Sequence, residues 1–141
     1  SQTSNSPKDV IPELVDFFTK QQASYILLID YELLLQNDAF EENKMLDIME
    51  EKMMEAKNYK KVAVIINLDS LIILNESASD SNMGRSMSYS IQNHTMYQII
   101  LSYMREFGST GPGVSRWMTV IVKHPELIKI VKGHLDWPEY P

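Results

Sequence analysis

The order of apolar segments predicts an α/β domain, a three-layer sandwich around a mostly parallel sheet. Two short unbroken apolar runs, Tyr25–Ile29 and Val62–Ile66, have the pattern of strands buried on both faces, and Trp117–Val122 reads as a third strand. The segments between them carry apolar residues at helical spacing, and that alternation belongs to a layered fold with right-handed crossovers. The length of 141 residues suits one core and falls short of two.

Residues 1–8 are polar and interrupted by Pro7, so they read as a flexible tail ahead of one domain over 9–141. From Asp9, a predicted cap, Val10, Leu14 and Phe17 recur at helical spacing with Ile11, Val15 and Phe18 beside them. They predict a helix over 9–22 whose first turn accommodates Pro12. The run 25–29 is the first strand. Asp38 and Glu41 have capping-box spacing ahead of a stripe of Leu46, Met49, Met53 and Ala56, which predicts a helix over 39–57 with Lys57, Lys60 and Lys61 near its end. The run 62–66 is the second strand. Residues 75–90 are rich in Ser and Asn and read as a mobile loop, because so little apolar surface offsets their ordering entropy. Met96, Ile100, Tyr103 or Met104, and Phe107 predict a helix over 89–107, ended by the turn at 108–113. The third strand covers 117–122. Pro125 at a first helical position and Gly133 just past the last bracket a short helix over 125–132.

Composition narrows the function classes. A net charge of −6 disfavours direct nucleic-acid binding. The absence of Cys excludes disulfides, zinc–thiolate sites and a Cys nucleophile, and fits a reducing compartment. No apolar run approaches the roughly 20 residues of a membrane span and no leader pattern opens the chain, so an intracellular protein of cytoplasm or nucleus is expected.

Residue patterns for catalysis are sparse. The turn 108–113 follows a helix and lacks both G-x-x-x-x-G-K-[ST] and G-x-G-x-x-G spacing, so it reads as a linker. His94, His124 and His134 match no metal-ligand spacing and read as surface or capping residues. No G-x-S-x-G elbow exposes a serine nucleophile. The acidic residues of 41–55 alternate with Lys44 and Lys52 as a solvated face would, and Met45, Met49, Met53 and Met54 have core spacing. Asn75 and Asn93 head glycosylation triplets of a kind common by chance, and the serines of 77–90 have the exposure that phosphorylation needs. No catalytic or metal-ligating residue is assigned.

From about residue 24 to 138 the chain resembles the large α/β subdomain of the AAA+ ATPases. The segment 62–72, VAVIINLDSLI, is similar to the family's Walker B strand, with Asp69, Ser70 and Leu71 on its closing Asp-Ser-Leu and Ile66 and Asn67 on its Asp-Glu pair. The segment 120–128, VIVKHPELI, is similar to the sensor-1 strand, with Lys123 on the Asn, His124 on the Arg and Pro125 on the Pro; residues 133–136 stand on the family's Gly-Arg-Phe-Asp. The resemblance implies a P-loop NTPase-like fold in which helix 9–22 follows the missing phosphate loop, and a degenerate nucleotide site of Asn67, Asp69 and Lys123. Neither Ile66 nor Asn67 supplies the carboxylate that orients Mg²⁺ or water. What it implies is a catalytically silent module binding other subunits of a larger ATPase assembly, AAA+ ATPases among them, as in NSF-like, peroxisomal and origin-recognition proteins. No cofactor is expected; ATP with Mg²⁺ enters only if a phosphate loop comes from elsewhere. The alternatives are an active ATPase fragment whose phosphate loop lies outside these residues, and an unrelated α/β protein-interaction domain.

Overall fold

The computed structural model describes residues 10–78, 87–107 and 112–135. The elements run α1 (Ile11–Lys20), β1 (Tyr25–Ile29), α2 (Tyr31–Gln36), α3 (Glu42–Ala56), β2 (Lys61–Asn67), α4 (Leu68–Leu71), β3 (Leu74–Ala78), β4 (Met87–Ile91), α5 (His94–Glu106), β5 (Ser115–Ile121) and α6 (Pro125–His134). Mixed α/β architecture is therefore present. The described residues form two sheets, a parallel one in the order β1-β2-β5 and an antiparallel pair β3-β4.

The central strand organises the core. Val62 through Ile66 are all fully buried, flanked by β1 in the register Tyr25↔Val62 and by β5 in the register Lys61↔Ser115. Because successive side chains leave opposite faces of a strand, Val62, Val64 and Ile66 enter one apolar cluster while Ala63 and Ile65 enter another. The first cluster includes Met49 and Met53 of α3 and Met96, Tyr97, Ile100, Leu101 and Met104 of α5. The second includes Phe18, with Ile11, Leu14 and Trp117 against it. Successive parallel strands step in one direction across the sheet, so right-handed crossovers carry both α3 and α5 to the same side.

Several local expectations are corrected. The first helix is shorter than 9–22; it is preceded by Val10 with no side-chain cap, and Asp9 lies outside the described residues. Its buried stripe is Ile11, Leu14 and Phe18, while Val10, Val15 and Phe17 are exposed, because the face that meets β2 is one residue out of phase with the 10/14/17 reading. Asp38 does not cap the next helix. It sits in left-handed backbone (φ +56) at the end of α2, and Glu41 precedes α3 without a side-chain cap bond. The unforeseen α2 is capped by Asp30, whose carboxylate accepts from the Leu33 N–H at 2.9 Å. Gly133 does not end α6 but lies inside it.

The loop expected over 75–90 holds a hairpin instead, and residues 89–91 belong to β4 rather than to the helix, which starts at His94. Where the two strands face each other their backbone groups pair, and half-buried Leu74 and Ile91 pack against the core. Residues 79–86, the tail 1–8 and the turn residues 108–111 lie outside the described residues.

Two measurements check this account. Ile65→Ala removes buried methyl groups where β2 meets α1 and should lower unfolding stability by about 2–5 kcal/mol in urea, whereas Met54→Ala, at a 63% exposed position, should change it little. Tyr25 donates to Glu55 Oε1 at 2.9 Å, and burial followed by this bond pushes its pKa up to about 12 from 10.0. A pKa raised on folding favours the neutral phenol in the folded state, so this stabilisation is complete below pH 10 and is lost as pH rises toward about 12. Tyr25→Phe should remove that component of the alkaline stability loss in melts across the same window.

Candidate functional site

The carboxyl ends of the three parallel strands converge on one edge of the sheet, where open α/β sheets bind ligands. Each strand there runs directly into a polar turn. Asp30 follows β1 and caps α2. Asn67 ends β2 and precedes the single turn of α4. Val122, Lys123 and His124 follow β5 and lead into α6.

Two polar side chains, Ser70 and Asp69, stitch these turns together, and a third, His124, caps the helix that follows. The Ser70 hydroxyl accepts from the Tyr31 N–H at 3.1 Å and donates to the Asn67 carbonyl at 2.9 Å, joining the ends of β1 and β2. The Asp69 carboxylate accepts from two backbone N–H groups, those of Lys123 (2.5 Å) and His124 (3.1 Å), joining the ends of β2 and β5. The His124 side chain caps α6, its Nδ1 accepting from the Glu126 N–H at 3.1 Å. With Nδ1 as acceptor, the proton of the neutral ring sits on Nε2.

An open cleft of about 520 Å³ lies beside this joint. Asp69, Lys123 and His124 line it on the polar side; Ile72, Leu74, Leu127 and the Tyr89 ring form the rest. Tyr89 meets the His124 imidazole edge to face with centroids 5.6 Å apart, and its hydroxyl donates to Glu76 Oε2 at 3.1 Å. That hydrogen bond, more than burial, raises the Tyr89 pKa. The neighbouring Asn93 side chain accepts from the Ile73 N–H at 3.0 Å and donates to the Leu71 carbonyl at 2.7 Å, fixing the segment that supplies Ile72.

Of the residues selected from sequence, Asp69 and Lys123 line the cleft, and Asn67 ends β2 in register with Ile121. The Asp69 carboxylate engages the Lys123 backbone N–H rather than its ammonium. Tyr89 and Asp30 have no place among the selected residues, and Ser70 enters only within the Walker B-like segment. Tyr89 was hidden because it lies in a segment that reads as loop, while Asp30 carries a local signal, an Asp three residues before a backbone donor at a strand end.

The remaining histidines serve structure. His94 Nε2 is 3.3 Å from Gln98 Nε2, and His134 Nδ1 is 2.8 Å from the buried Tyr97 hydroxyl. Among the described residues no cluster of three or more His, Asp and Glu could hold a metal ion, and no helix is long and apolar enough to cross a membrane. The chain matches no protein-family model, no curated protein and no solved structure.

Removing the Asp69 carboxylate leaves two backbone donors without their partner. Asp69→Ala should cost about 1–3 kcal/mol of unfolding stability, and Asp69→Asn less, since one amide oxygen still accepts. Equilibrium denaturation of both variants checks the order.

Proposed function

We propose that the chain is a catalytically silent AAA+-like domain, a three-layer P-loop NTPase-like unit without a phosphate loop in its 141 residues, acting as an assembly or partner-binding module of a larger ATPase complex. The observation that carries the reading is the use made of the carboxylates at the ligand-binding edge. Asp30 is taken up by the start of α2 and Asp69 by the backbone of Lys123 and His124, and the strand end between them presents buried Ile66 and Asn67. Nucleotide hydrolysis needs carboxylates free to orient metal and water. These are spent on holding the edge together.

Strand order supports the AAA+-like reading further. β1, β2 and β5 are adjacent and parallel in the order the resemblance implies for its second strand, Walker B strand and sensor strand. Phe18 of α1 packs on the face opposite α3 and α5, as a helix following a phosphate loop would.

Titration with labelled ATP and Mg²⁺ is the test. No saturable binding in the micromolar range is expected, and its appearance would overturn the silent reading. Asn67→Glu, at a half-buried strand end, and the double variant Ile66→Asp with Asn67→Glu should both lack ATP turnover, because restored carboxylates act only on a nucleotide held in place. Turnover by either variant would favour the ATPase-fragment reading.

A further inference from the structure

We infer that the cleft beside the Asp69 joint binds a peptide segment of a partner chain that carries one carboxylate next to an apolar side chain. The inference rests on the partner-binding reading and names the chemistry of that partner.

Charge at the cleft points to a single negative group. Lys123 is exposed and its ammonium has no ion-pair partner among the described residues, where Lys20–Asp16 and Lys129–Glu126 are paired. The Asp69 carboxylate, turned to the backbone N–H groups of Lys123 and His124, forms no ion pair with the Lys123 ammonium. His124 adds a second donor, because the use of Nδ1 as acceptor leaves the ring proton on Nε2. One ammonium and one N–H donor match a carboxylate.

A polyphosphate fits poorly. The Asp69 carboxylate in the cleft wall, Glu76 on the Tyr89 hydroxyl and Glu126 3.5 Å from Lys129 oppose any anion, and they oppose several negative charges set against one lysine more than they oppose a single carboxylate. The rest of the wall is Ile72, Leu74, Leu127 and the Tyr89 ring, which offer apolar contact and few groups to hydrogen-bond a sugar. About 520 Å³ accommodates a leucine-sized side chain with a neighbouring acidic one. The apolar wall takes the first, Lys123 and His124 the second.

The probe is N-acetyl-Leu-Asp-Leu amide, compared with its Asn counterpart, titrated into the isotope-labelled chain while backbone amide resonances are followed. At about 1 mM the Asp peptide should shift the resonances of Tyr89, Lys123, His124 and Leu127, and the Asn peptide should bind about tenfold more weakly, the loss expected for one charge-assisted hydrogen bond. Lys123→Met should abolish the difference between the two peptides and leave the melting midpoint unchanged, because the Lys123 side chain holds no described structural contact. Equal binding of the two peptides, no shift at these residues, or an unaltered preference in Lys123→Met would overturn the inference. A parallel titration with ATP and Mg²⁺ separates the two readings. Nucleotide binding with the Asp preference intact overturns the silent-site reading alone, and an inert nucleotide with no Asp preference overturns the peptide site alone.

Discussion

Burial of β2 on both faces is the constraint from which the rest of the molecule follows. Five consecutive side chains, Val62 to Ile66, are removed from water, so both neighbouring strand positions must be filled and both faces covered. Alternation along the strand then assigns the coverings, with α3 and α5 against the even-numbered residues and α1 against the odd. Helix amphipathicity is matched to that demand. Phe18, Met49, Met53 and Ile100 are buried, while Phe17 and Met54, one position away from buried neighbours, face solvent.

The same constraint explains why the polar residues gather where they do. A strand buried on both faces cannot carry unpaired charge along its length, and polar groups are displaced to its end. There Asn67, Asp69 and Ser70 meet the turns after β1 and β5. Asp69 reaches across to the start of α6, where the first N–H groups of a helix lack intrahelical acceptors. Structural need and ligand chemistry therefore compete for one carboxylate, and structure holds it.

The three strands and long helices were legible because their signals are strong and local. Short unbroken apolar runs mark β1 and β2, the mostly apolar run 117–122 marks β5, and the stripe Met49, Met53, Ala56 marks α3. What was hidden depends on partners distant in sequence. The hairpin β3-β4 reads as loop because its ladder is satisfied by backbone bonds that side-chain hydropathy does not record. The phase of α1 could not be chosen between 10/14/17 and 11/14/18, since both stripes are apolar and only contact with Ala63 and Ile65 decides. Asp69 was visible as a polar residue after a buried run, but its bond partners lie on another strand's exit. Tyr89 was lost with its hairpin, and no pattern in the sequence ties it to His124.

The partners at the joint, Asp69 and Lys123, stand 54 positions apart in the chain. Closing so long an excursion carries more entropy cost than bringing β1 to β2, by about 0.6 kcal/mol for each doubling of length. The difference is smaller than thermal energy and fixes no order of pairing, but the cleft needs both closures whichever forms first. The cleft, with walls drawn from both sides of the β2–β5 closure, is a feature of the completed fold alone. A chain stalled halfway has no such surface to offer, so occupancy of the cleft by a partner would discriminate mature molecules from immature ones.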